Sequence, residues 1–454
     1  MTKSKSKQLD MLNGSIWNKI LIFALPVAAT AILEQLFNAS DIAVVGNFTG
    51  SGKTIAVAAV GANSSIIALI VNLFVGIALG TNVVIANAIG RDDKEKVKKA
   101  VHTSVLVAVI GGIAISILGE IFSELLLSSL NVPNEVFQSA LMYLRIYLLG
   151  MPVILLYNFE AAIFRSIGDT KTPLFALLFS GLLNVLLNLF FVAILHMTVD
   201  GVAIATVVSN VFSSVWLLIK LIRSKEYIGI ELKHLRIDKT VLLQILKIGL
   251  PAGIQSAVFA VSNILIQSAI NSLGTDVIAA SSAAYNIEIF AYYIMNSFSQ
   301  ACTTFVGQNY GARKLPRCRR ILLICLAEDA IATALAISTI LFTGKYLLAF
   351  FNNDPEVINL GYIRLVVILS AYTFSMLYDL MSGYLRGFGI SLVPAILTII
   401  GVCGVRIAWI AFVFTSNPTF PTILTAYPVS LSATAVMIAI ALFCYHPIKR
   451  FKDE

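Results

Sequence analysis

The feature that most constrains the fold is a series of apolar segments, each long enough to cross a lipid bilayer. About 20 apolar residues form a helix that spans the hydrocarbon core, and segments of that length recur twelve times in the 454 residues. They lie near 16–46, 55–89, 101–122, 137–163, 172–195 and 200–222, and then near 241–270, 277–307, 320–342, 356–384, 391–415 and 424–446. Only 12% of the residues are charged and 58% are hydrophobic, which excludes a soluble globular domain. The sequence therefore predicts an all-α polytopic membrane protein with 12 transmembrane helices.

Positive charge is concentrated in alternate loops between these segments. The basic loops are "GRDDKEKVKKAVH", "RSIGDTKTP", "LIRSKEYIGIELKHLRIDK" and "GARKLPRCRR", together with the tail "HPIKRFKDE". The opposite loops carry only Lys53 and Lys345, so the positive-inside rule places both termini in the cytoplasm. The polar, basic start predicts no signal peptide. We expect a multi-pass protein of the cell (inner) membrane whose net charge of +8 reflects its topology. The lipid bilayer is then a partner and nucleic acid is not.

The two halves of the chain resemble each other. "KILIFALPVAA" matches "QILKIGLPAGI", and "LYNFEAAIFRSIGDTKTP" matches "LYDLMSGYLRGFGISLVP" at an offset of 221 residues. The repeat predicts two pseudo-symmetric lobes of six helices, with a first lobe at 1–222, a cytoplasmic linker at 223–240 and a second lobe at 241–454. Because six is even, both halves insert in the same orientation, which favours a transporter with a cleft between its lobes. A duplicated channel subunit is the alternative, but the sequence contains no re-entrant filter segment.

The first apolar segment carries two acids on one helix face. Glu34 and Asp41 are seven residues apart, which places them within about 20° of each other on an α-helix, and Asn38 lies between them. A carboxylate in the bilayer costs at least about 2.5–3.5 kcal/mol, so such acids usually serve ion or substrate pathways. The structural alternative is that these groups only join neighbouring helices by hydrogen bonds. Glu34 could be a second proton acceptor or a counter-ion for substrate.

A second polar stripe lies on the eighth segment, where Tyr285, Glu288, Tyr292 and Asn296 recur at steps of three and four residues. Aromatic faces together with one acid suit an organic cation. The alternative is the polar wall of a wet cleft with no specific contacts. Other charged residues fall within the spans, and Arg406 is expected to be a structural partner of an acid rather than a substrate ligand. The further intramembrane acids are Glu160, Glu328, Asp329 and Asp379.

The sequence does not predict an enzyme. "GNFTGSGKT" resembles a phosphate-binding loop, but Asn47 occupies the position of its first glycine and the segment lies between two helices. The five cysteines have no metal-ligand spacing, and no catalytic triad pattern is present. We therefore expect no cofactor and no metal beyond a possible Na⁺ at Asp41.

Several stretches together resemble one family across essentially the whole chain. The first helix reads "LPV…NASDIAVVG", the second ends "NAIGRDD", the fourth runs into "FRSIGDTKTP", and the sixth opens "DGVAIATVVSN". These stretches are similar to the MATE (multidrug and toxic compound extrusion) transporters. The resemblance implies a V-shaped pair of lobes with alternating access. It also implies antiport, in which inward H⁺ or Na⁺ drives efflux of organic, often cationic, drugs or toxic compounds.

The resemblance also implies a cation-coupling site in the first lobe. It comprises Asp41, Asn184, Asn188 and Thr206, and at Asn188 the family's Asp is replaced by an amide. A Glu important in the NorM-like branch is replaced by Phe259, which favours the DinF-like branch. With a single carboxylate left, H⁺ is preferred to Na⁺ as the coupling ion. The alternative functions are a flippase for a lipid-linked precursor and an exporter of an endogenous metabolite. A monomer is expected.

The predicted orientation can be tested by labelling. A cysteine introduced at Ser129 or Asn417 should react with an impermeant thiol reagent added outside cells, because both positions lie in loops of the Lys-poor side. A cysteine introduced at Lys94 should not react. The reverse labelling pattern would contradict the orientation.

Overall fold

The structure is a computed structural model that describes residues 9–50, 53–129, 132–224 and 227–450. Helices make up nearly all of this part of the chain, and it contains no β-strand. The helices of the first half are α1 (Trp17–Phe48), α2 (Lys53–Gly90), α3 (Lys94–Ser129), α4 (Asn134–Leu149), α5 (Met151–Ser166), α6 (Lys171–Asn188) and α7 (Val199–Arg223). Those of the second half are α8 (Lys239–Asn271), α9 (Thr275–Gly311), α10 (Leu315–Ala349), α11 (Pro355–Gly387), α12 (Leu392–Thr398), α13 (Val405–Ala408), α14 (Phe420–Leu424), α15 (Ala426–Tyr445) and α16 (Pro447–Arg450).

These helices account for the twelve predicted spans. Ten are long and apolar enough to cross a membrane, and the bent pair α4–α5, which turns by 50° at Gly150, forms an eleventh. The remaining predicted span corresponds to α9, which is 37 residues long but rich in Ser, Thr, Asn and Gln. A membrane helix tolerates such side chains where they face other protein or a water-filled space. The prediction of an all-α protein with 12 transmembrane helices is confirmed.

Two spans end or continue in π-helix rather than α-helix. Leu189–Ile194 extends α6, while Ile399–Gly404 and Trp409–Phe414 flank the short helix α13. Single π-helical turns are rare and occur often at functional sites. They change the helix face on which the following side chains lie. The end of α6 and the surroundings of α13 are therefore candidate functional regions.

The internal repeat is visible in the backbone. Gly168 and Gly389 follow α5 and α11 with φ of 85° and 82°, and Asp92 and Arg313 follow α2 and α9 with φ of 55° and 57°. The members of each pair are 221 residues apart. Glycine suits the left-handed conformation because it has no Cβ. The two halves therefore turn the chain with left-handed residues at equivalent positions, at the same helix ends.

Within the described residues, the contacts divide the chain into two compact units. The first unit contains residues 9 and 29–250, and the second contains residues 10–28 and 251–450. The chain thus passes from one unit to the other inside α1 and inside α8, next to the internal prolines Pro26 and Pro251. These bounds describe packing rather than sequence repetition, and the lobes at 1–222 and 241–454 stay a prediction.

Each unit has its own apolar core. In the first unit, α2, α3, α5, α7 and the start of α8 bury a continuous cluster of aliphatic and aromatic side chains. In the second unit, the start of α1 packs against α9, where the rings of Phe23 and Phe305 meet edge to face at 5.8 Å. Asn309 donates a hydrogen bond to the carbonyl of Met11 at 3.1 Å. These contacts explain why the segment before residue 29 belongs to the second unit.

The connection between the two halves is held against α3 within the first unit. Lys98 forms an ion pair with Glu231 at 2.5 Å, and His234 contacts the same carboxylate at 2.8 Å. The hydrogen bond from Lys98, followed by that from His234, holds the pKa of Glu231 below its usual range. Asp238 accepts a hydrogen bond from the backbone N–H of Val241 at 3.1 Å and so caps α8.

A very close helix contact in the first unit is the crossing of α2 and α8. A Cβ added at Gly80 would lie 2.8 Å from the backbone nitrogen of Gly249, and one added at Gly249 would lie 2.6 Å from the Cα of Ile77. Both distances are too short for a real Cβ contact. Small residues allow this kind of backbone approach between membrane helices, so the crossing requires glycine on both sides.

The glycine crossing can be tested by comparing two substitutions in α2. Gly80→Ala should lower the melting temperature of the purified protein, because overpacking costs roughly 1–3 kcal/mol. Gly61→Ala is the matched control, because a Cβ at Gly61 would meet no atom within 4 Å. It should leave the melting temperature unchanged or raise it slightly, since Ala favours helix over Gly. Equal melting temperatures for both variants would argue against the crossing.

Candidate functional site

Three helices of the first unit bring the predicted coupling residues together. Asn188 donates a hydrogen bond from Nδ2 to Oδ1 of Asp41 at 2.5 Å, and Thr206 Oγ1 lies 3.2 Å from the other carboxylate oxygen. Asn184 lies 3.4 Å from the Thr206 hydroxyl, and its Oδ1 accepts from Asn188 at 3.2 Å. We call Asp41, Asn184, Asn188 and Thr206 the Asp41 cluster.

The local structure explains how these side chains meet. Asn184 and Asn188 are one helical turn apart on α6, so both point to the same neighbour. Asn188 is the last α-helical residue before the π-helical stretch Leu189–Ile194. Thr206 lies on α7, which packs against α6. The cluster therefore joins α1 to the α6–α7 pair.

The Asp41 cluster is buried and contains one carboxylate. The side chain of Asp41 is 6% exposed, and Asn188 is fully buried. Among the described residues no Lys, Arg or His lies within ion-pair distance of Asp41, and Oδ1 of Asn188 has no hydrogen-bond partner. The cluster thus presents carboxylate, amide and hydroxyl oxygens around a charge that no neighbouring cation offsets. Such a site can hold a proton on Asp41 or a small hard cation among the oxygens.

The rest of the predicted stripe on α1 has a different environment. Glu34 and Asn38 are exposed, whereas Asp41 is buried. Arg165 of α5 is close enough to interact electrostatically with Glu34. The stripe therefore combines an accessible part, Glu34 and Asn38, with an enclosed part at Asp41.

A further buried acid lies on α5 in the same unit. Glu160 is fully buried, Oε2 accepts a hydrogen bond from Ser214 of α7 at 3.3 Å, and Oε1 has no partner within the described chain. Ser214 is eight residues beyond Thr206 on α7, about 12 Å along the helix. The sequence marked Glu160 as an acid within a predicted span, which is a signal of a functional role. It was nevertheless not included among the predicted site residues.

The polar stripe predicted on the eighth segment lies on α9, and its residues have different environments in the structure. Glu288 is buried and forms a two-pronged ion pair with Arg364, at 2.6 Å and 3.2 Å, so its charge is already neutralised. Tyr285 is 45% exposed, and Tyr292 and Asn296 are half-buried. A cation at this face would therefore meet aromatic rings and an amide rather than a free carboxylate. The substrate role of these four residues stays a prediction.

Three more acids are buried in the second unit. Glu328 and Asp329 lie on α10 and Asp379 lies on α11, all less than a tenth exposed. Asp329 accepts a hydrogen bond from Thr333 at 2.9 Å, while neither oxygen of Glu328 has a partner in the described residues. No group of three or more His, Cys, Asp or Glu in the described part of the chain could hold a metal ion.

Comparison with known proteins identifies the fold and the family. The family model MatE matches residues 26–190 and again residues 251–413, which independently supports the internal repeat. The probable multidrug resistance protein YoeA of Bacillus subtilis is 25% identical over 96% of this chain and 94% of its own. The probable multidrug resistance protein NorM of Thermotoga maritima is 25% identical over 88% and 85%. The multidrug export protein MepA of Staphylococcus aureus is 20% identical over 85% of each chain.

Solved structures agree with this result. The outward-facing conformation of a multidrug resistance MATE family transporter of the MOP superfamily superposes with a TM-score of 0.89 at 22% identity, covering 99% of both chains. A structure of MATE in the straight conformation covers 99% of this chain and 100% of its own, with a TM-score of 0.88 and 22% identity. One in the bent conformation covers 98% and 99%, with a TM-score of 0.88 and 22% identity. The chain is a transporter rather than an enzyme, and it belongs to the MATE family.

Proposed function

We propose that this protein is an antiporter that exports organic, mainly cationic, compounds by alternating access, and that Asp41 is its coupling group. The observation that carries this proposal is the Asp41 cluster, in which a buried carboxylate has amide and hydroxyl partners but no counter-cation among the described residues. A neutral residue would pack there at lower cost. The burial of an acid is therefore best explained by reversible binding of a cation.

The relatives support export as the direction of transport and drugs as the cargo. The similar proteins are named as multidrug resistance or multidrug export proteins, and the similarity extends over most of each chain. Multidrug export requires a protein that spans the cell membrane, and the ten apolar helices and the bent pair supply those spans. On this account both termini face the cytoplasm, and the protein acts as a monomer.

The composition of the Asp41 cluster favours H⁺ over Na⁺. Na⁺ binding is strengthened by each additional carboxylate, and here only Asp41 carries charge. Asn188 occupies the place where a second carboxylate would lie. Protonation requires only one acid in an apolar setting. The proton neutralises the carboxylate, so the hydrogen bonds that Asn188 and Thr206 donate to it become weaker.

The structure of α1 offers a route from protonation to a change of shape. Pro26 lies inside the helix, where it cannot donate a hydrogen bond to the carbonyl of Ile22. The chain passes from the second unit to the first three residues later, at Ala29. A loosened Asp41 cluster would free the outer part of α1 to bend at Pro26.

The accessible part of the α1 stripe suits the cargo. Glu34 and Asn38 are exposed, and exposure of Glu34 to lipid would cost at least about 2.5 kcal/mol. We therefore infer that they face water or substrate. The exposed ring of Tyr285 and the half-buried ring of Tyr292 add aromatic surface for an organic cation in the second unit.

The first test compares two acids. Asp41→Asn should abolish gradient-driven dye efflux from vesicles, because the amide keeps the shape of the carboxylate but cannot release a proton. Asp379→Asn, a buried acid of the second unit, should reduce efflux less. Both variants should be present in the membrane at wild-type amounts. Equal residual transport in the two variants would argue against a coupling site in the first unit.

The second test separates coupling from substrate recognition on α1. Glu34→Gln should retain ion-coupled efflux with altered preference among dyes, because Glu34 is accessible and Asp41 is not. Asp41 also lies about 10 Å further toward the outside along the helix. Efflux rates for several cationic dyes should therefore change in rank in Glu34→Gln. The assignment is wrong if Glu34→Gln loses coupled efflux of every dye while Asp41→Asn retains it.

A further inference from the structure

The second unit contains a buried guanidinium group with an unusual set of neighbours. Arg406 on α13 is 1% exposed. Its Nε donates to Ser430 Oγ at 3.2 Å and its Nη1 donates to Asn263 Oδ1 at 2.8 Å. The guanidinium carbon lies 4.4 Å from the ring centre of Tyr427 and 5.3 Å from that of Phe259. All four neighbours are neutral.

Within the described part of the chain, Arg406 forms no ion pair with an acid, contrary to the expectation from the sequence. Among the described residues no carboxylate lies within 4 Å of its guanidinium. Glu288 lies on the same side of the unit, but both of its oxygens are bound by Arg364. The ring of Tyr427 lies between the two cations, 5.7 Å from Arg364 and 4.4 Å from Arg406. The one carboxylate near the two guanidinium groups is bound by Arg364, which leaves the buried positive charge of Arg406 in excess.

One nitrogen of this guanidinium is unused, and the side chains that cover the group are partly exposed. Nη2 makes no hydrogen bond to any described residue, and the other two nitrogens make one each. Phe259, Asn263 and Tyr427, which cover the group, are only half-buried. The guanidinium thus keeps an unused donor beneath side chains that are themselves partly exposed.

The internal repeat shows that this face differs in charge from its counterpart. At the offset of 225 residues that relates Pro26 to Pro251, Asn38 corresponds to Asn263 and Glu34 corresponds to Phe259. The first unit thus presents an acid where the second presents an aromatic ring over a buried cation. Equivalent helix faces of the two units are therefore suited to ligand groups of opposite charge.

We propose that Arg406 forms an anion-binding subsite in the second unit. It would take the carboxylate of a zwitterionic cargo or a free chloride ion, both of which accept hydrogen bonds from a guanidinium. This deepens the proposed function, on which it rests, because it extends the exported compounds from cations to zwitterions. A purely structural role for Arg406, joining α13 to α8 and α15, is the competing explanation.

The test uses equilibrium binding of two dyes that differ by one methyl ester. Rhodamine 110 carries a free carboxylate, and rhodamine 123 is its methyl ester. Fluorescence polarisation with the purified full-length protein should show rhodamine 110 bound about tenfold more tightly or better, as expected for one charge-assisted hydrogen bond. Arg406→Gln should remove this preference and leave the affinity for rhodamine 123 unchanged. Arg406→Lys should retain part of it.

A second variant distinguishes binding from structure. Asn263→Asp places a carboxylate beside Nη1, so it should neutralise the guanidinium and remove the preference for rhodamine 110 without lowering the melting temperature. If Arg406 has only a structural role, Asn263→Asp should show the same relative affinity for the two dyes as the wild-type protein. Equal affinities for the two dyes in the wild-type protein would overturn the proposal, as would a preference that survives in Arg406→Gln or Asn263→Asp.

Chloride distinguishes the two sources of the anion. Replacing sodium isethionate with sodium chloride should weaken rhodamine 110 binding in the wild-type protein but not in Arg406→Gln if chloride occupies the subsite. If chloride has no effect while the preference persists, the subsite is selective for carboxylate. Binding needs no ion gradient, so these outcomes do not depend on whether the vesicle experiments show coupled export.

Discussion

The contact between Asp41 and its partners on α6 and α7 is the interaction on which the functional account depends. A buried carboxylate in a membrane span has to be offset by a cation, by hydrogen bonds or by protonation. Here hydrogen bonds from Asn188 and Thr206 are available and no counter-cation is present within the described residues. On the proposed account, the charge state of Asp41 controls how firmly α1 is held to α6 and α7. That link between one proton and the position of a whole helix is what an antiporter requires.

Much of the fold could be predicted because hydrophobicity and the repeat are strong signals. The twelve spans followed from the length of the apolar segments, including α9 in spite of its polar residues. The polar partners of Asp41 were identified through a family resemblance. Asn188 and Thr206 are 147 and 165 residues away from Asp41 in sequence, so no local pattern joins them to it. The ion pair between Glu288 and Arg364 and the excess charge at Arg406 could not be predicted, because pairing between helices depends on their rotation and on π-helical shifts of register.

The two units combine similar helices with different chemistry. The first contains the Asp41 cluster and the buried acid Glu160. The second contains a neutralised acid at Glu288 and an excess cation at Arg406, in addition to the buried acids Glu328, Asp329 and Asp379. A duplicated chain can separate tasks in this way, since each copy keeps the scaffold and changes a few side chains. On the proposed account the first unit exchanges the coupling ion, and the second contributes aromatic and cationic contacts to cargo.

The identity of the coupling ion can be tested directly by a single transport measurement. Vesicles containing the wild-type protein are loaded with a cationic dye, and efflux is followed under an imposed pH gradient without Na⁺ and then under a Na⁺ gradient at equal pH. The account predicts that the pH gradient drives dye export, because the Asp41 cluster holds one carboxylate and suits a proton. Efflux that responds to the Na⁺ gradient alone would contradict it.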